Sequence, residues 1–171
     1  MKKVNRILII IAILLSCVQM AKGQEENIIA IAIYNFSRYV DWPADQSSQD
    51  FRIDIVGHKS VFEKMKEIST GRKVGNRNIA VRYLESIEKI TDSEILFVGF
   101  WQSKELPKIA DKIKSKHTLL ITEKEGLIDD GSAINFVIRN NAIKFEIKKS
   151  NILKYGLILS ETLEKMAVKT Y

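Results

Sequence analysis

The chain carries one cysteine, Cys17, in 171 residues. No disulfide, thiolate zinc cluster or cysteine nucleophile can therefore form beyond that position. Histidine is nearly as scarce, with only His58 and His117. A metal site would have to be built from carboxylates, and Asp129-Asp130 reads as a turn without the spaced ligands of a calcium loop. Neither a metal nor a cofactor is expected. The eight glycines form neither G-x-G-x-x-G nor G-x-x-x-x-G-K-[ST], which removes the usual phosphate-binding loops. The chain also lacks a G-x-S-x-G elbow, so Ser60, Ser103 and Ser132 are nucleophile candidates by residue type alone. Glu123, Glu125 and the Asp129-Asp130 pair read as solvated loop charges. The expectation is a protein that is not an enzyme.

The amino terminus has an address. Lys2, Lys3 and Arg6 precede the apolar run Ile7–Leu15, and Ala21-Lys22-Gly23 places small residues before Gln24. This is the layout of a secretory signal peptide over 1–23, with export to the periplasm and a single domain over 24–171. The run is short of the ~20 apolar residues that span a bilayer. A rival processing event starts from Leu14-Leu15-Ser16-Cys17, which resembles the box preceding the lipidated cysteine of bacterial lipoproteins and would leave a lipid-anchored form. The following Val-Gln-Met-Ala is not the small polar spacer such proteins carry. Four cations and no acid lie before Gln24, so the formal +6 of the whole chain falls to a small excess in the remainder. That is no electrostatic footprint for nucleic acid.

Periodicity then alternates. Phe51–Val56 alternates as a strand, Lys59–Ser69 carries a helical stripe, Ile79–Leu84 alternates again, and Ile95–Val98 is an unbroken apolar run suited to burial on both faces. Trp101–Lys116 predicts a helix and Thr118–Thr122 a fourth strand. Ile134–Arg139 and Ile143–Lys148 flank Asn140-Asn141, a hairpin signal because asparagine tolerates positive φ. A last helix places Tyr155, Leu159, Thr162, Leu163 and Met166 on one face. The expected fold is a single Rossmann-like α/β sandwich, mostly parallel, with an antiparallel C-terminal hairpin and helices on both faces.

Two places draw a functional reading. Gly57 and His58 follow the first strand, and Gly99-Phe100-Trp101 follows the third, at the rim where open α/β sheets take ligands. The aromatics there are either exposed recognition groups or caps on the core. Gly71–Asn78 is a basic stretch, either a soluble hairpin or a patch for an acidic partner.

The other place is Ile31–Pro43, where apolar positions 29, 32, 33, 36 and 40 describe a buried helix closed by Pro43. Tyr34, Asn35, Arg38 and Asp41 share its other face, and Trp42 sits at the stop. This stretch resembles the opening block of the YfiR family (HmsC-like). Phe51–Gly57, Ile95–Gly99 and Gly131–Ile147 resemble later blocks of that family in the same order. The resemblance covers roughly 27–168, and some members carry disulfides that this chain lacks. It implies a non-enzymatic periplasmic regulator that binds and restrains a membrane-bound signalling enzyme, a diguanylate cyclase or a histidine kinase. Homodimers also occur in such proteins. Tyr34, Asn35, Arg38 and Trp42 would form the surface or the helix stop that matters, with Asn135 and Phe136 in the matching late strand. The alternative is a small-molecule binding protein with its ligand on the rim of Gly57, His58, Gly99 and Trp101.

Overall fold

The structure is a computed structural model that describes residues 23–43, 50–114 and 116–171. Residues 1–22 of the expected signal peptide, with the lipoprotein box and Cys17, lie outside the described residues, and Gly23 opens the first described helix. The first described element is helix α1, over 23–39. Ten strands follow: β1 (Val40–Asp41), β2 (Asp50–Val56), β3 (Lys73–Val74), β4 (Arg77–Leu84), β5 (Ile95–Val98), β6 (Leu119–Thr122), β7 (Ile134–Arg139), β8 (Ala142–Ile147), β9 (Ile158–Leu159) and β10 (Lys169–Thr170). The later helices are α2 (Lys59–Ser69), α3 (Leu106–Ile113), α4 (Lys149–Lys154) and α5 (Glu161–Met166).

Eight strands form one sheet in the order β10-β8-β7-β6-β5-β2-β4-β3, while β1 and β9 pair separately. The central strands β4, β2, β5, β6 and β7 run parallel. β7 and β8 form the antiparallel hairpin, and its two asparagines take left-handed backbone (φ 51° at Asn140, 58° at Asn141). That is the mirror-image turn whose twist matches the strands. The mostly parallel α/β sandwich read from the sequence is the fold found.

Register decides which side chains share a face. Ile53, Ile95, Leu119 and their i+2 neighbours align across β2, β5 and β6, and Ile121 aligns with Ile134 of β7. The same face therefore carries Phe97 and Phe136, whose rings meet at 6.3 Å. Phe36 of α1 stacks on Phe136 (5.9 Å) and meets Phe145 edge-on (4.9 Å), so α1 packs on this face. β2 steps to β4 in one direction and β5 steps to β6 in the other. Right-handed crossovers then put α2 and α3 on opposite faces. α3 buries Leu106, Ile109 and Ile113, at ~1.5–3 kcal/mol for each such side chain.

Two elements differ from expectation. α1 ends at 39, ahead of Pro43 as expected, and Trp42 before the proline is biased toward extended backbone. Val40 and Asp41 pair with Leu159 and Ile158 instead, and Ser160 N–H donates to the Tyr39 carbonyl at 3.0 Å. The helix expected over Trp101–Lys116 opens as a 3-10 segment, Phe100–Glu105, and becomes α-helical only at Leu106. Pro107 lacks an N–H and favours a helix start at that point. The single last helix is broken at Gly156 (φ 69°). A Cβ there would lie 2.5 Å from His117 Nδ1, so the chain turns and gives Ile158–Leu159 to the small sheet.

Candidate functional site

The loops after β2 and β5 leave in opposite directions from neighbouring strands, which is where an open sheet forms its crevice. In this protein the crevice is filled from within. Gly57 takes a left-handed backbone (φ 77°), and a Cβ on it would lie 2.1 Å from Gln102 Oε1. A Cβ on Gly99 would lie 2.7 Å from the Gly57 carbonyl oxygen. The two glycines let the loops touch, Gly99 N–H donates to Val56 O at 2.8 Å, and the Gln102 side chain covers the contact.

Beside this plug stands a histidine–carboxylate pair that the sequence reading missed. His58 Nδ1 accepts the Val61 N–H at 3.4 Å, capping α2, and Nε2 lies 3.6 Å from Glu123 Oε2. Capping requires an unprotonated Nδ1, so a single proton on the ring sits on Nε2, facing the carboxylate. Glu123 Oε1 accepts the Phe100 N–H at 2.5 Å. Burial pushes the Glu123 carboxyl above its ordinary range. Electrostatic attraction to His58 and the bond from the Phe100 N–H pull it back only in part, and Glu26 adds a smaller push upward. Glu123 is thus no solvated loop charge. A sign was present in its place directly after Thr122, at the end of a buried strand whose rim also carries His58.

Asn135 serves this arrangement from below. It is fully buried, and its amide is satisfied with the nitrogen facing Lys124 O (2.9 Å) and Thr122 O (3.2 Å). It braces the turn that bears Glu123. Phe136 next to it is core, between Phe36 and Phe97.

The candidate serines are committed elsewhere or distant. Ser103 Oγ donates to Phe100 O (2.6 Å) and Ser132 Oγ to Ile134 O (2.7 Å), while Ser60 lies exposed in α2. Among the described residues no three of His, Cys, Asp and Glu gather as a metal set. No helix among them is long and apolar enough to cross a membrane.

The residues singled out by sequence fall into two groups. Gly57, His58, Gly99 and Trp101 meet at the carboxyl rim of the sheet, with Asn135 and Phe136 beneath. Trp42 is at the opposite end, its Nε1 on the carbonyl of Glu94 and its ring edge-on to Phe51 at 5.0 Å. Tyr34 has the Arg72 guanidinium over its ring at 4.8 Å. Arg38 is exposed and Asn35 half-buried on α1. Within the basic stretch Arg72 is thus on Tyr34, and Arg77 is paired with the buried Glu94.

Phe100 and Trp101 do not cap the core. Trp101 is 78% exposed and Phe100 48%, their rings in an edge contact at 5.3 Å. The Glu123 bond to the Phe100 N–H ties the base of this pair to the His58–Glu123 pair.

Comparison with known proteins places the fold. No curated protein sequence matches the chain significantly. A solved structure of the ABC domain in complex with L-Trp from Streptococcus pneumonia is similar at 10% identity and a TM-score of 0.52. The similarity covers 70% of this chain and 55% of that one, so the chain spans little more than half of it. At that identity the likeness is one of fold. The family described as YfiR/HmsC-like matches residues 26–168, from α1 to the approach to β10. With the parallel sheet, its C-terminal hairpin and the rim all inside that match, the chain belongs to the YfiR/HmsC-like family, a family of periplasmic regulators of cyclic-di-GMP signalling.

Proposed function

We propose that this protein is exported, loses residues 1–23 and acts in the periplasm by binding and restraining the periplasmic part of a membrane-bound signalling enzyme. A diguanylate cyclase is the first such partner to test and a sensor histidine kinase the second. The observation that carries this reading is the exposed Phe100–Trp101 pair. A tryptophan that is 78% exposed on a 3-10 turn is poorly used by the monomer. Tryptophan is also among the residues that dominate binding energy once an interface closes over them. Family membership supports the regulatory role. Restraint requires only that the rim bind one state of the partner more tightly than the other.

The test is capture from the native envelope with the full gene product and a Trp101→Ala variant. The wild type should retain one membrane cyclase or kinase, and Trp101→Ala should lose it by about 2 kcal/mol or more of binding. Its urea midpoint should stay unchanged, since an exposed side chain contributes within about 0.5 kcal/mol to stability. Equal retention by both proteins would remove the rim from the interface. Retention of no membrane protein would overturn the regulatory reading.

A further inference from the structure

The open space at this end of the molecule is not in the filled crevice but one strand further along, above β6 and β7. A cleft of about 560 Å³ lies between the start of α1 and the β7–β8 hairpin, within the range of small-molecule sites. Its walls are apolar. Ile29 of α1, Phe136 of β7 and Ile143 of β8 line it, and Phe100 forms one lip. Ile138, 63% exposed, forms the other. The charged side chains that line it are all carboxylates: Glu25, Glu123 and Glu125.

These carboxylates differ in what occupies them. Glu125 is held by Arg139 at 2.7 Å. Glu123 spends Oε1 on the Phe100 N–H, but Oε2 stands 3.6 Å from His58 Nε2, beyond hydrogen-bond length. That leaves an acceptor oxygen on a largely buried acid at the edge of an apolar cleft that Phe100 also lines. Lys124 Nζ already lies 5.8 Å from the Phe100 ring centroid, so the ring can sit near a cation. An anion would meet three carboxylates, and a neutral hydrocarbon would leave Oε2 unused.

We propose that this cleft binds a small organic cation, a protonated amine on an apolar body, with the ammonium on Glu123 and the body against Ile29, Phe136 and Ile143. An occupant would press on Phe100 and so on its edge contact with Trp101. Coupling of this kind to a protein partner rests on the function proposed above. The binding itself does not, and it is measured without any partner.

The test uses the purified, 15N-labelled protein titrated with phenethylamine and, separately, with 3-phenylpropanoate, which carries a carboxylate in place of the amine. Phenethylamine should give saturable shifts centred on the Phe100 and Ile138 amides below about 10 mM. The carboxylate probe should bind about tenfold more weakly or not at all, the difference expected of one charge-assisted hydrogen bond. Glu123→Gln, which keeps an acceptor for the Phe100 N–H, should weaken the amine about tenfold. Should that variant misfold, Ile138→Lys provides an independent arm. It sets a cation at the exposed lip, and should abolish amine binding while leaving the amide spectrum otherwise intact. Absence of a saturable shift at Phe100 and Ile138, equal affinity for the two probes, or amine binding unchanged in Ile138→Lys would overturn the proposal. Amine binding as described with no effect on partner capture would leave the site standing and remove only the coupling.

Discussion

Trp42 Nε1 donates to the backbone carbonyl of Glu94 at 3.2 Å, fastening the end of α1 to the amino end of β5. Trp101 stands beyond the carboxyl end of the same strand, about 16 Å away at the rise of an extended chain. The two tryptophans have opposite duties. Trp42 lies against Phe51 and belongs to the packing, whereas Trp101 faces solvent.

Trp42→Ala should therefore destabilise the fold by about 2–3 kcal/mol, the range for removing a large side chain that is not wholly buried. Trp42→Phe keeps the ring against Phe51 and loses the bond to Glu94 O, so it should cost about 1 kcal/mol. Urea unfolding of the two variants measures both. A Trp42→Ala protein as stable as the wild type would mean that the latch is not structural.

Gly57→Ala should cost about 1–3 kcal/mol, from the left-handed backbone together with the contact to Gln102. Adding Gln102→Ala removes the contact but not the backbone strain. The double variant should recover part of the loss in thermal melts, and full recovery would show that the backbone conformation carries no strain.

The pH dependence assigned to Glu123 follows from its direction of shift. Its folded carboxyl is raised above the ordinary 4.5 by burial, so the folded state binds this proton more tightly than the unfolded chain does. Its contribution to stability is full below about 4.5 and is lost as pH rises through the raised folded value. Glu123→Gln removes that titration. The difference in urea midpoint between the two proteins, followed upward from pH 4, should move in favour of the variant and then level off. A difference that does not change with pH would show that Glu123 has the same affinity for its proton in both states.

Tyr155 extends the same logic to base. Burial pushes its hydroxyl from 10.0 up to about 12, and the hydroxyl donates to Gly131 O at 3.0 Å. Its contribution should hold below pH 10 and be lost as pH rises through about 12. Tyr155→Phe should lower stability by about 1–2 kcal/mol at neutral pH, because it leaves that carbonyl without its donor. The variant should also lose less than the wild type on going to high pH in a base-unfolding titration.

Strand β2 illustrates how far periodicity carries. Its alternation of apolar and charged residues suits a strand with one wet face, yet Asp54 is fully buried. Arg82 sits opposite it in β4 and makes two bonds of 2.7 Å to its carboxylate. Alternation reports which residues share a face, but a cross-strand partner decides whether a charge on that face can be covered. Glu123 was misread for the same reason. As a residue after a strand it looked solvated, and only the approach of His58 from β2 and Phe100 from the turn after β5 made it a largely covered acceptor.

The sequence by itself determined what depends on neighbours along the chain. The six longer strands and α2 follow from periodicity, and the hairpin turn follows from two asparagines that tolerate positive φ. The absence of thiol chemistry beyond Cys17 follows from counting. The ordered blocks of residues pointed to the family. Tertiary structure alone decided what depends on residues far apart in sequence. Strand order set Glu123 beside His58, closed the Gly57–Gly99 crevice with Gln102, opened a cleft one strand away and sent the two tryptophans to opposite ends. Side-chain periodicity fixes a direction within one element, and only the pairing of elements fixes what that direction meets.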